Sequence, residues 1–140
     1  MTEFVLDCSV AIAWVFDDRA SEGTDALLRE LRQGGRAVVP PLWHLELGNV
    51  LLQAEGRRKL TAPETSQRLA FFADLPIVTD PAVDADLRSS VVQLARRATL
   101  TTYDASYLEL ARRRGLALAT RDNALRRAAE KEVVAILPNH

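Results

Sequence analysis

The sequence predicts an α/β fold in which a parallel sheet is covered by helices on both faces. Three observations carry this. Short apolar runs recur along the chain at Phe4-Val5-Leu6, Ala37-Val38-Val39, Pro76-Ile77-Val78, Leu116 to Ala119 and Val133 to Leu137. Stretches of helical periodicity separate them, and glycine or proline stands at most of the junctions. Strands that read as continuous apolar runs, alternating with helices, belong to parallel sheets buried on both sides.

Each element has its own local reason. After the first run, Ser9 to Phe16 is apolar nearly all round and predicts a buried helix. Residues 21–33 predict a second helix with Leu27, Leu28 and Leu31 as its buried stripe, closed by Gly34-Gly35. The second strand stops at Pro40-Pro41, and a helix is expected from about Leu42 to Glu55, ending at Gly56. Thr61 and Glu64 have capping-box spacing for a helix ending near Asp74, with Pro63 tolerated in its first turn. Val83, Leu87, Val91, Leu94 and Ala98 recur at helical spacing and mark the next helix. Further helices are predicted over 104–114, closed by Gly115, and over 122–131.

Composition bounds what such a domain does. At 140 residues the chain suits one domain, 1–140, and 48% hydrophobic residues suffice for a sizeable core. Eighteen basic and 19 acidic side chains give a net charge of −1 and a pI of about 6.1, which excludes bulk coating of nucleic acid by positive charge. Any site for a polyanion must be local. The apolar run Val10 to Phe16 is far short of the ~20 residues of a membrane span. Glu3 and Asp7 stand where a signal peptide requires basic and then apolar residues. A soluble, cytoplasmic protein without membrane association is expected. Cys8, the single cysteine, allows no internal disulfide, and no Cys/His spacing indicates zinc.

In doubly wound sheets, ligands bind outside the carboxyl ends of the strands, so the residues following each strand are the ones to read. Asp7 follows the first strand, Asp122 the fourth, and Asp104 opens a helix. Taken singly, each has an ordinary explanation as a helix N-cap or as a negative charge at the positive end of a helix dipole. Glu46 is different. Trp43, Leu45, Leu47, Val50, Leu51 and Leu52 cover most of its helix and leave Glu46, Asn49 and Gln53 as a narrow polar stripe. A carboxylate there requires a partner if it is buried.

Together, up to four carboxylates could meet at one edge of the sheet. Crowded like charges raise one another's pKa and oppose folding unless neutralised. With no histidine or cysteine among them the donors are all oxygen, which selects Mg²⁺ or Mn²⁺ over zinc or copper. Such an ion activates water and neutralises charge on a phosphoryl group, so metal-dependent phosphodiester hydrolysis is the chemistry these residues favour.

The order of motifs is informative in itself. Val5-Leu6-Asp7-Cys8-Ser9 comes first, then Glu46-Leu47-x-Asn49. Thr102-Tyr103-Asp104-Ala105-x-Tyr107-Leu108-x-Leu110-Ala111 and Ala119-Thr120-Arg121-Asp122 follow. This series resembles the PIN-domain ribonucleases over nearly the whole chain, and more narrowly the VapC-type toxins of bacterial type II toxin–antitoxin pairs. The resemblance implies a PIN-like three-layer α/β/α sandwich with about five parallel strands. It implies an acidic pocket for Mg²⁺ or Mn²⁺, endonucleolytic cleavage of RNA by metal-activated water, a homodimer, and a cognate antitoxin laid across a helical groove near the site. Asp7, Glu46, Asp104 and Asp122 match the family's acidic, metal-binding positions. Ser9 and Thr120 match its small hydroxyl positions, and Asn49 its polar companion to the glutamate. Arg121, beside Asp122, is placed for substrate phosphate, as is Arg126 one turn beyond. Cys8 stands where the family varies, and Asn123 where a basic residue is frequent.

Other readings fit less well. An aspartyl-phosphate phosphatase requires a second aspartate two residues after the first, where this chain has Ser9. A receiver-like signalling domain requires a lysine after a late strand, and Lys59 and Lys131 are not so placed. A non-catalytic PIN-like binding module gains nothing from clustered carboxylates. Cys8 reads as a small buried side chain rather than a nucleophile. The Arg112-Arg113-Arg114 run reads as charge that complements the end of its helix.

Overall fold

The computed structural model describes residues 2–82 and 84–139. Five strands, β1 (Glu3–Leu6), β2 (Arg36–Val39), β3 (Ile77–Thr79), β4 (Ala117–Ala119) and β5 (Ile136–Leu137), form one sheet in the order β3-β2-β1-β4-β5. Every pairing is parallel. The three-layer α/β architecture expected from the alternating runs is the observed one. Strand β1 is central because both its faces are apolar. Phe4, Val5 and Leu6 have no solvent exposure, and Ala37 to Val39 beside them have none either. Burial of whole strands is what a sheet flanked by helices on both faces requires.

The helices are α1 (Cys8–Ala11), α2 (Glu22–Arg32), α3 (Leu42–Gly56), α4 (Ala62–Ala73), α5 (Ala85–Ala98), α6 (Thr102–Arg114) and α7 (Asn123–Lys131). Capping chemistry sets many of their ends. Thr61 and Glu64 make the expected reciprocal capping box, and Ser21 makes one with Thr24. Gly115, at φ +66°, closes α6 in the left-handed conformation that a residue without Cβ adopts freely. At Gly35 an added Cβ would lie 2.7 Å from the Glu30 carbonyl oxygen, so the turn into β2 requires glycine.

Three boundaries depart from expectation. The single helix predicted from Ser9 to Phe16 is α1 followed by 3-10 turns at Ile12–Trp14 and Asp17–Arg19. Packing draws the tighter turn: Trp14 donates its indole N–H to the Thr24 carbonyl at 2.8 Å, and its ring lies tilted beside Phe72 with centroids 6.5 Å apart. The last strand is two residues rather than five, because Val133 takes φ +58° at the end of α7 and is 92% exposed. Helix α6 begins two residues earlier than predicted, capped by Thr101, whose hydroxyl accepts the Asp104 N–H at 3.1 Å. Val83, assigned by periodicity to the helix after β3, lies outside the described residues.

The arginine run at the end of α6 does more than complement the helix terminus. Arg113 and Arg114 both bind Asp80, which follows β3 and is 3% exposed, and Arg112 pairs with Glu132 at 3.1 Å. The α6 C-terminus is thereby tied to the edge of the sheet. Among the described residues, no helix is long and apolar enough to cross a membrane.

Candidate functional site

The chain leaves β1 for β2 and β3 on one side, then crosses over to β4 and β5 on the other. The C-terminal ends of β1 and β4 are thus the switch point where doubly wound sheets bind ligands. Asp7 ends β1 and its N–H extends the ladder to the Ala119 carbonyl at 2.9 Å. Thr120 ends β4 in the same way, donating to the Leu137 carbonyl at 2.9 Å.

A small hydroxyl network fixes Asp7. Its Oδ2 accepts hydrogen bonds from the Ser9 and Thr120 hydroxyls, each at 2.7 Å. Those hydroxyl oxygens in turn accept backbone N–H groups, Ser9 from Arg121 at 2.8 Å and Thr120 from Asp122 at 3.1 Å. Asp7 and Thr120 are buried, so this network joins the two strand ends in a setting that excludes water. Asp7 begins α1, yet its side chain makes no capping bond. A side-chain cap therefore does not account for Asp7.

For Thr120→Val, which keeps shape but leaves the Asp122 N–H without its acceptor, a loss of about 1–3 kcal/mol of stability is expected. Urea unfolding checks this. A loss under about 0.5 kcal/mol would mean that the hydroxyl network does not hold the two strand ends together.

The other carboxylates reach the same edge from separate elements. Asp104 is in the first turn of α6, where Thr101 rather than Asp104 is the cap. Among the described residues no hydrogen bond holds its carboxylate. Glu46 projects from α3, half-buried, and Tyr107 of α6 donates its hydroxyl to Glu46 Oε1. Asp122 is the one of the four with a capping role, since its Oδ2 accepts the Leu125 N–H at 2.9 Å and starts α7.

Burial pushes the pKa of Asp7 up, against the hydroxyl hydrogen bonds that lower it, and the charge of Asp122 adds to the rise. Burial likewise raises Asp104, with Asp7 and Asp122 adding repulsion. Burial raises Glu46 too, with Asp7 and Asp104 contributing. Asp7 and Asp104 are thus within electrostatic reach of Asp122, and Glu46 within reach of Asp7 and Asp104. They are not gathered into a ready coordination shell: among the described residues, no three histidine, cysteine or acidic side chains stand close enough to hold one ion. The donor chemistry suits a hard divalent cation, because all four side chains are carboxylates whose mutual repulsion such an ion relieves.

The supporting residues divide. Ser9 and Thr120 are in the network. Asn49 is exposed, one turn from Glu46 on the outer face of α3. That face is not the thin polar stripe expected: Leu45 and Leu52 are 79% and 62% exposed, so an apolar surround in sequence is not a buried surround in space. Arg121 is exposed beside Asp122 and donates from its guanidinium to the Arg19 carbonyl. Arg126 is not free for phosphate, since it spans the Thr120 carbonyl at 2.7 Å and the Pro138 carbonyl at 3.0 Å. Burial pushes the Cys8 thiol up to about 12, which leaves it a poor nucleophile. Sequence reasoning assigned no role to Tyr107 or Asp80. The signal for Asp80 was the strand-end position already applied to Asp7 and Asp122.

This arrangement of acids at the β1/β4 switch point coincides with a family match: the model of the PIN domain aligns with residues 4–131. The chain belongs to the PIN-domain family. PIN domains are nucleases. No curated protein matches it in sequence. Its fold resembles that of PAE2754 from Pyrobaculum aerophilum, with a TM-score of 0.66 and 23% identity over 96% of this chain and 83% of that one. It also resembles VapBC2 from Rickettsia felis bound to a DNA fragment from their promoter, with a TM-score of 0.70 and 10% identity, covering 96% and 97%. FitAcB from Neisseria gonorrhoeae is similar as well, with a TM-score of 0.63 and 18% identity over 96% of each chain. At these identities the likeness shows the shared PIN fold alone.

Proposed function

We propose that residues 1–140 form a single PIN-like nuclease domain, a Mg²⁺- or Mn²⁺-dependent endoribonuclease that serves as the toxin of a toxin–antitoxin pair. The observation that supports this is the electrostatic influence that Asp7, Glu46, Asp104 and Asp122, from four separate segments, exert among themselves. Each of the first three has its pKa raised by burial and by neighbouring acids. A domain that only binds has no use for that repulsion, whereas a hard cation site requires it.

In this reading Asp7, Glu46, Asp104 and Asp122 would hold the ion, which would supply an activated water and neutralise charge on the scissile phosphate. Ser9 and Thr120 keep Asp7 oriented by engaging Oδ2. Arg121, exposed next to Asp122, would meet a substrate phosphate through the guanidinium nitrogens that its single bond to the Arg19 carbonyl leaves free. RNA is the proposed substrate from the motif resemblance, and the protein acts where RNA is found, in the cytoplasm.

The partners proposed are a second copy of the chain and an antitoxin encoded immediately upstream. Apolar surface available for them includes Leu45 and Leu52 on α3 and a groove of about 520 Å³ between α5 and α6, lined by Leu87, Val91, Val92 and Leu110. The relatives VapBC2 and FitAcB, whose names denote paired proteins, support a two-protein assembly.

The test is to map new RNA ends after brief induction of the wild type beside Asp104→Asn, and to repeat cleavage in vitro with Mn²⁺ and with excess chelator. Discrete ends that vanish with Asp104→Asn and with chelator are expected. Equal cleavage in chelator, or full activity of Asp104→Asn, would overturn the reading.

A further inference from the structure

Glu46 and Asp104 lie on different helices, 58 positions apart in sequence, and their relative placement must be set by something that joins α3 to α6. One polar contact does so within the site. Tyr107 is fully buried, one helical turn after Asp104 on the same face of α6, and its hydroxyl donates to Glu46 Oε1. Its ring is among the largest fully buried side chains, so the hydroxyl sits at the end of a rigid arm. Among the described residues, Glu46 Oε2 has no hydrogen-bond partner. A long glutamate side chain has three rotatable bonds, and without a partner Glu46 would sample positions facing solvent, since it is only half-buried.

We propose that Tyr107 is a positioning residue: it holds Glu46 Oε1, leaves the remaining oxygen free for an ion, and so links the α3 and α6 halves of the acidic site. A buried hydroxyl whose single acceptor is a carboxylate of the site would otherwise be an unneeded polar group in a core that a phenylalanine would fill. The inference rests on the metal-dependent nuclease reading. It adds that the affinity for the ion depends on a residue that does not touch the ion.

The test is Tyr107→Phe, which keeps the ring and removes only the hydroxyl. Loss of such an outer partner lowers metal affinity by about 10–100-fold in comparable sites. Calorimetric titration with Mn²⁺ should show at least about tenfold weaker binding to the variant, and the Mn²⁺ concentration for half-maximal RNA cleavage should rise in parallel. Excess Mn²⁺ should restore most of the cleavage rate. With Glu46 removed as Glu46→Ala, adding Tyr107→Phe should weaken Mn²⁺ binding no further, because the hydroxyl acts only through Glu46.

Wild-type Mn²⁺ affinity in Tyr107→Phe would overturn the proposal, as would a further loss in the Glu46→Ala background. A fall of more than about 10 °C in metal-free melting temperature would place the hydroxyl's role in the fold and overturn it too. If the wild type itself neither binds Mn²⁺ nor cuts RNA, the nuclease reading falls. If it does both and Tyr107→Phe matches it, only the role of Tyr107 falls.

Discussion

Asp7→Asn is expected to abolish metal-dependent RNA cleavage, by about a thousandfold or more, and to raise the melting temperature of the metal-free protein. The first effect follows from the position of Asp7 at the end of the central strand, where it is the most buried of the four acids. Losing ~4 kcal/mol of metal-borne transition-state stabilisation is roughly a thousandfold in rate. The second effect follows from electrostatics. Burial raises the Asp7 pKa and so do neighbouring charges, which means that the charged form strains the fold when no cation is present.

The sign with pH is definite. A carboxyl whose folded pKa is raised stabilises the fold fully below its ordinary pKa, 3.8 for aspartate, and that stabilisation is lost as pH rises through the raised value. Wild type without metal should therefore lose stability as the pH rises above about 4 through the raised value. Asp7→Asn removes this loss, so its gain in melting temperature should grow as the pH rises through the raised value and vanish as the pH falls toward about 4. Each kcal/mol relieved corresponds to about 2–4 °C in a domain of this size. Thermal melts in chelator across this range check the effect. A melting temperature at or below wild type at neutral pH would show that the buried charge of Asp7 does not strain the metal-free fold.

Asp80→Ala should produce the opposite pattern: lower stability with the acidic site intact. The Asp80 carboxylate accepts from Arg113 at 2.8 and 3.2 Å and from Arg114 at 2.8 and 3.2 Å. Both arginines remain about one-third exposed, so the cost of stranding them is moderated by solvent. A loss of about 1.5–3 kcal/mol is expected from hydrogen bonds to charged groups, or roughly 3–12 °C in melting temperature.

The Arg113 hydrogen bonds, followed by those of Arg114, hold the Asp80 carboxyl below its ordinary range. Its contribution is present above the unfolded pKa of 3.8 and disappears as pH falls through the depressed value. The difference between Asp80→Ala and wild type should therefore close under strongly acidic conditions. Cleavage at a temperature where both proteins are folded should be unchanged, because β2 separates β3 from the strand that carries Asp7. Urea unfolding beside cleavage assays measures both. Loss of cleavage at undiminished stability would assign Asp80 to the site instead.

The parallel sheet was legible because its signals are local. Phe4 to Leu6 and Ala37 to Val39 are apolar on both faces, and only a strand covered twice uses such a run. The candidate acids at β1 and β4 were legible for a related reason, since a strand's end is marked in sequence and doubly wound sheets open there. The fate of Ser9 to Phe16 was not, because the bond from Trp14 to the Thr24 carbonyl that favours the tighter turns comes from the next helix. The outer face of α3 was misjudged for a similar reason. Apolar residues all round a helix do not say which neighbours cover them, and nothing in this chain covers Leu45 and Leu52 among the described residues.

The residues of the acidic edge, the strand order of their motifs and the hardness of their donor set belong to the sequence, where they can be read from residue type and spacing alone. What brings them together does not. The hydroxyl of Thr120 reaches Asp7 across 113 positions, and that of Tyr107 reaches Glu46 across 61. Such contacts depend on the crossover between β3 and β4 and on where the sheet places α6 relative to α3. A pairing across that distance leaves no periodicity in the chain, because its partners are chosen by packing in three dimensions rather than by neighbours in sequence.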